Sequence, residues 1–142
     1  MDIAELSSSL RSVISSLHKG LRKRMNAANT YSMTEMETIA HLARSSALLP
    51  TTLASLTRVK TQTMSQIIKK LEMQGIIKRT PSGDDKRKIF ISLTTRGKKW
   101  VENTKYERDE WLKKAIEKSL SGKEREALVK VLPILNKLAE IN

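Results

Sequence analysis

Cysteine is absent from all 142 residues. That excludes thiol redox sensing, cysteine nucleophiles and thiolate metal sites together. Histidine is scarce: His18 and His41 are the two available, too few for a dedicated zinc-sensing site, and neither lies in a motif that would serve a nucleophilic triad. The strings G-x-x-x-x-G-K-[ST], G-x-G-x-x-G and H-E-x-x-H are missing as well, so an enzyme reading finds no support and no metal or cofactor is expected. No apolar run approaches bilayer length. The N-terminus carries Asp2 and Glu5 with no basic segment before an apolar one, so it does not read as a secretory signal, and the expected location is the cytoplasm. What remains is 39% hydrophobic and 30% charged, the composition of a globular chain long enough to bury one core without disulfides.

Acidic residues are also few, and their distribution is informative. The net charge is +12. Residues 58–99 hold twelve Lys and Arg against Glu72, Asp84 and Asp85, a net +9, whereas residues 1–57 carry +2 and residues 100–142 carry +1. Charge concentrated in one third of a chain points to a polyanion, because each neutralised phosphate releases a condensed counterion. A merely solvated basic surface is the other reading that charge alone allows.

Apolar residues at Ile3, Leu6, Leu10, Val13, Ile14, Leu17, Leu21 and Met25 recur every three or four positions, which predicts a long amphipathic helix from Asp2 to about Asn26. Ser32 and Glu35 form an S-x-x-E capping box opening a second helix to about Arg44, with Met36, Ile39, Ala40 and Ala43 inward. Pro50 suits the first turn of a short third helix, Thr51 to about Arg58, burying Leu53 and Leu56. A fourth runs from about Thr61 to Gln74 with Met64, Ile67, Ile68 and Leu71 inward, and Gly75 stands where a left-handed cap belongs. Lys60 cannot cap that helix, which leaves Thr61 to do so. Two β-branched runs, 76–80 and 88–93, flank the turn formers Pro81 to Asp85 and predict a basic hairpin. Thr94 or Thr95 caps a fifth helix to about Leu120, with Trp100, Val101, Trp111, Leu112, Ala115 and Ile116 apolar. Ser121 and Glu124 form a second capping box, opening a last helix with Leu128, Val131, Leu132, Leu135 and Leu138 on one side and Pro133 placed to kink or split it.

The fold class is therefore mainly α with a small β-hairpin: a short helix, a tight turn, a second helix with a polar outer face, then a basic hairpin. That is the order of a winged helix-turn-helix. The major groove of duplex DNA admits one α-helix whose exposed side chains reach base edges. With the apolar stripe buried, Gln62, Ser65, Gln66 and Lys69 face out. Gln can bond an adenine edge twice, Ser several edges, and Lys a guanine or a phosphate.

Leu53-Ala54 through Val59, Thr63, Ile67, Leu71-Glu72, Gly75-Ile76-Ile77, Asp85-Lys86-Arg87 and Leu93-Thr94-Thr95-Arg96-Gly97 resemble the MarR family of multiple-antibiotic-resistance regulators. Its most recognisable string, a D-x-R wing followed by L-T-x-x-G, is present at Asp85, Arg87, Leu93, Thr94 and Gly97. The resemblance covers nearly the whole chain. It implies a single domain over residues 1–142, with a winged DNA-binding lobe at 32–99 and helical dimerisation regions at 1–27 and 100–142. It further implies a two-fold homodimer on a pseudo-palindromic double-stranded operator, with the fourth helix in the major groove. Arg87 would then sit in or beside the minor groove, its guanidinium held by Asp85. The DNA-contacting set so implied is Thr61, Gln62, Thr63, Ser65, Gln66, Lys69 and Lys70 from the helix, with Lys78, Asp85, Arg87 and Lys88 from the hairpin. Many members bind small aromatic or phenolic compounds between the dimer helices and the lobe. By the same resemblance, Leu17, His18, Leu21, Met25, Met33 and Met36 would line that cleft, methionine being adaptable enough for varied ligands. A constitutive architectural DNA-binding protein and a winged-helix module that docks proteins are the alternatives; specific binding to one operator separates the first, and failure to bind DNA at moderate salt would identify the second.

Overall fold

In the computed structural model, residues 1–23, 30–85 and 87–141 are described. They form α1 (Ile3–Lys23), α2 (Met33–Arg44), α3 (Pro50–Thr57), α4 (Thr61–Met73), β1 (Ile77–Pro81), β2 (Ile89–Leu93), α5 (Thr95–Ser119) and α6 (Gly122–Ala139). These elements divide into two compact units, a lobe of residues 22–106 and a terminal unit of residues 1–21 with 107–142. Among the described residues, no helix is long and apolar enough to cross a membrane.

The lobe is built on α2, α3 and α4 packed over a two-stranded antiparallel sheet. Its α2 starts at the expected capping box. The Glu35 amide donates to Ser32 Oγ at 3.1 Å, and the Ser32 amide to Glu35 Oε1 at 2.8 Å. The helix turns Glu35, Thr38, Ile39 and Leu42 inward, so Ala43, placed on the buried stripe by the sequence, is exposed instead. Next, α3 buries Leu53, Ala54 and Thr57 while Leu56 stays 47% exposed. The expectation that Leu56 points inward fails because at 100° per residue it lies about 60° outside the arc spanned by 53, 57 and 54. The turn into α4 places Arg58 in the left-handed region at φ 56°.

Met64, Ile68 and Leu71 of α4 are buried, and Ile67 packs partly against the same core. Lys60 occupies the N-cap position without a side-chain cap bond, so Thr61 is not the cap but the first residue inside the helix. Gly75 then takes φ +75°, the conformation that glycine reaches without steric penalty.

The hairpin pairs Ile77 with Leu93 at its base and Pro81 with Ile89 toward its tip. A third segment joins through Leu48, whose amide donates to Ile91 O at 2.9 Å and whose carbonyl accepts from Ile91 N at 2.7 Å. Ile77, Ile91 and Leu93 close the core from below.

The L-T-x-x-G string works as a knot. Thr94 Oγ1 accepts the Gly97 amide at 3.0 Å, capping α5, and donates to the Gly75 carbonyl. Its own amide donates to Ile76 O at 3.0 Å. A Cβ on Gly97 would stand 2.1 Å from Ile76 O, so the close approach of α5 to the residue just before β1 requires glycine. Tyr31, Trp100 and Val101 complete the lobe, the two rings meeting edge to face at 5.2 Å.

In the terminal unit Trp111 lies 3.5 Å from the point where a Cβ on Gly20 would stand, and Arg125 donates to Glu117 O at 3.0 Å. The capping box of Ser121 and Glu124 starts α6 with both reciprocal bonds formed. Pro133 lies inside α6, and the helix runs through it without splitting. No described residue of this unit is fully buried.

Candidate nucleic-acid interface

The outward face of α4 is set by what its inward face must do. Met64, Ile68 and Leu71 recur at i, i+4 and i+7 and are almost wholly inaccessible. On a 3.6-residue turn, that forces Gln62, Ser65, Gln66 and Lys69 onto one exposed stripe, with Thr61 and Thr63 beside its start. The stripe carries two amides, a hydroxyl and an ammonium, and no acid. At the N-terminus the absent side-chain cap leaves the first amides of α4 without a side-chain acceptor. Such amides favour an anion, and a phosphate is the anion duplex DNA offers.

The wing presents its cation differently. The Arg87 amide donates to Asp85 Oδ1 at 3.0 Å, and Arg87 Nε lies 3.4 Å from the same oxygen. Two contacts to one carboxylate fix the start of the side chain while leaving it 93% exposed. The tip is held by Ser82 N to Lys88 O at 2.9 Å and Lys88 N to Asp85 O at 3.0 Å. Lys88 is exposed beside Arg87, and Lys86 lies outside the described residues.

Two lysines of the expected DNA set occupy other settings. Lys70 Nζ pairs with Glu35 Oε2 at 2.8 Å, also donates to Oε1 at 3.0 Å, and lies 6.0 Å from the centre of the Tyr31 ring. Its charge is spent tying the last turn of α4 to the first turn of α2. Lys78 pairs across the sheet with Ser92 near the hairpin base and lines a cleft with Arg44 and Lys98. The sequence carried no sign of the Glu35–Lys70 pair. Glu35 is legible as a capping residue, but its partner lies thirty-five positions away. A second pair, Arg79 Nε to Glu72 Oε1 at 3.1 Å, holds β1 to the end of α4 and was equally silent.

Glu35 is 6% exposed. Burial alone would raise its carboxyl pKa, but the Lys70 hydrogen bond, the Ser32 amide and hydroxyl and the Lys70 charge more than offset it, and the group sits below the ordinary carboxylate value. Tyr31 is raised, burial outweighing the lowering by Arg96 and Lys70.

The suggested ligand-cleft residues are divided between the units. Leu17, His18 and Leu21 belong to the terminal unit, Leu17 being 50% exposed, while Met33 at 46% exposure and the half-buried Met36 belong to the lobe. Met25 lies outside the described residues. Among the described residues, no group of three or more His, Asp or Glu could hold a metal ion.

Comparison with known proteins gives consistent results. The family model described as MarR family matches residues 31–89. An HTH-type transcriptional regulator of Mycobacterium bovis is 30% identical over 125 residues, which is 88% of this chain and 86% of that protein. Among solved structures, RV1404 from Mycobacterium tuberculosis superposes with a TM-score of 0.82 at 19% identity, covering 96% of this chain and 94% of that one. NadR, solved in complex with 4-hydroxyphenylacetate, has a TM-score of 0.64 at 28% identity, covering 96% of this chain and 94% of that one.

Proposed function

The chain belongs to the MarR family of DNA-binding transcription regulators, and from that premise we propose that it acts as a homodimeric, ligand-responsive repressor on a pseudo-palindromic operator. The observation that carries the DNA mode is the acid-free stripe of Gln62, Ser65, Gln66 and Lys69 on α4, accompanied by a wing that holds Arg87 outward. The stripe enters the major groove, where Gln62 and Gln66 read base edges and Lys69 meets a base or a phosphate. Thr61 and Thr63 meet the backbone at the helix start. Arg87 and Lys88 follow the wing to the minor groove, where a narrow groove concentrates negative potential.

Dimerisation is supported by the terminal unit. Within it Ile3, Leu6, Val13 and Ile14 of α1, with Val129, Leu132, Ile134 and Leu138 of α6, are all more than half exposed. Monomers rarely leave so much apolar surface uncovered. A second copy covers it, and two-fold symmetry then sets two recognition helices about one turn of DNA apart, roughly 10 bp. Sedimentation at micromolar concentration should give a dimer of the 16.1 kDa chain; a clean monomer would overturn this part.

Selection of bound fragments from the source genome tests the whole reading. A recurrent inverted repeat is the expected result, and indiscriminate recovery would mark an architectural binder instead. The ligand, on this proposal, is a small aromatic anion. NadR is solved with 4-hydroxyphenylacetate, and that precedent supports a small aromatic acid as the ligand. Titrating phenolic acids against a fluorescent operator complex should release DNA. By linkage, operator DNA must weaken the ligand by the same factor.

A further inference from the structure

The lobe holds a cleft whose lining shares no residue with the DNA-facing stripe of α4. It has a volume of about 590 Å³ and is lined by the end of α2 and the residues after it (Arg44, Ser45, Ser46), by the cross-strand pair Lys78 and Ser92, and by Lys98 and Glu102 of α5. Its floor is apolar, formed by Leu42, Leu93 and Val101. Three cations and one acid therefore line it. Among the described residues, no carboxylate lies within ion-pairing distance of Arg44, Lys78 or Lys98. The C-terminus of α2 contributes about half a negative charge and Glu102 a whole one, which still leaves the cleft positive. Ser45, Ser46 and Ser92 add hydroxyls that can donate.

From this arrangement we propose that the cleft binds a small phosphomonoester. A phosphate group brings about −1.5 to −2 charges and three strong acceptor oxygens. Those match three cations and three hydroxyls, which together form charge-assisted bonds. The cleft lies within the ~300–1,000 Å³ typical of small-molecule sites, far more room than a bare phosphate fills, so an organic body rests on Leu42, Leu93 and Val101. The frame is fixed rather than pliant. Paired bonds between Leu48 and Ile91 hold the segment after α2 against β2, and Thr94 and Gly97 pin the start of α5. A DNA backbone phosphate offers the same chemistry. The Lys78–Ser92 pair, however, sits three register steps back from Pro81–Ile89, about 10 Å from the tip end of the strands at ~3.4 Å per residue. That favours a free ligand over the duplex.

The test uses the full chain at constant ionic strength, with phenyl phosphate, inorganic phosphate and phenol as probes. Calorimetry measures affinity, and amide NMR shifts locate the ligand. Phenyl phosphate should shift Ser45, Ser46 and Ser92, inorganic phosphate should bind more weakly, and phenol should not bind. Arg44→Gln and Lys98→Gln should each weaken phenyl phosphate about tenfold, the loss of one charge-assisted contact. Lys105→Gln, an exposed change outside the cleft, should not. Melting curves confirm that each variant folds. Equal affinity in wild type and both cleft variants, or shifts confined to other residues, would overturn the proposal. So would a third result: no phenyl phosphate binding, but a smaller salt slope for random duplex DNA in Arg44→Gln and Lys98→Gln. That would assign the phosphate to DNA.

Discussion

Replacing Glu35 separates two roles that one carboxylate performs. Its Oε1 accepts the Ser32 amide at 2.8 Å, closing the capping box of α2, and both oxygens engage Lys70 of α4. Glu35→Gln can keep the first contact through its amide oxygen but forfeits the ion pair. The pair is neither fully buried nor fully exposed, with side-chain exposures of 8% for Glu35 and 48% for Lys70. Its loss should fall between the ~0–1 kcal/mol of a surface pair and the ~3–5 kcal/mol of breaking a buried one, so about 1–2 kcal/mol. Glu35→Ala removes the capping contact as well and should cost about 1 kcal/mol more. Urea denaturation at fixed protein concentration measures both, because a dimer's stability depends on concentration.

The decisive experiment is a double-mutant cycle with Lys70→Met. A coupling near 1 kcal/mol supports the tie between α2 and α4; a coupling below about 0.3 kcal/mol would refute it, being within the additivity expected of independent sites. The pH dependence offers a second check. Because the folded carboxyl is held below its ordinary value, the unfolded chain binds the proton more readily, and stability rises with pH. The contribution is full above the unfolded value near ~4.3 and is lost as pH falls through the folded one. Glu35→Gln should erase that acid limb. Lys70→Gln should also leave the salt slope of DNA binding unchanged, whereas Lys69→Gln should flatten it by about one unit if it meets a phosphate.

Gly97→Ala should destabilise by about 3 kcal/mol or more, because its methyl would stand 2.1 Å from a backbone oxygen that the Thr94 knot holds in place. Gly83→Ala, whose added methyl meets no described atom within 4 Å beyond its chain neighbours, is the matched control and should leave the melting temperature unchanged. Gln62→Ala and Gln66→Ala should lower affinity for the preferred operator by about 1–3 kcal/mol per lost base contact while sparing random DNA; unaltered sequence preference would place the reading face elsewhere on α4. Arg87→Ala should weaken operator binding without changing thermal melting, since the side chain is 93% exposed. Arg87→Lys should recover part of the loss, lysine lacking the planar fork. Full affinity in Arg87→Ala would remove the wing from the mechanism.

Much was legible from the order of residues because the signals were local. Both capping boxes, the apolar stripe of α4, the left-handed Gly75 and the hairpin between two β-branched runs each depend on residues within about one or two turns of one another, and each formed, although Pro81, read as part of the turn, ends β1 opposite Ile89 and Ile67 is only partly buried. The family string was legible for the same reason, although its physical basis was not. Nothing in L-T-x-x-G announces that Thr94 bonds Gly75 or that Gly97 passes under Ile76. Where local reading erred, packing decided: Leu56 is apolar but lies outside the buried arc of a two-turn helix, and Lys60 takes the cap position despite having no side-chain oxygen with which to cap.

The sequence by itself determined the element order, the basic middle third and the polar stripe of α4, since periodicity and charge are properties of neighbours along the chain. Only the tertiary structure decided which cations remain available for a partner. Lys69, Lys70, Lys78 and Arg79 are alike as letters in a basic window. Folding brought Glu35 to Lys70 and Glu72 to Arg79, left Lys69 outward, and set Lys78 in a cleft with Arg44 and Lys98. Whether a charge meets its opposite depends on distance in space, and contacts made across thirty-five residues are written only in the packed core that brings their helices together.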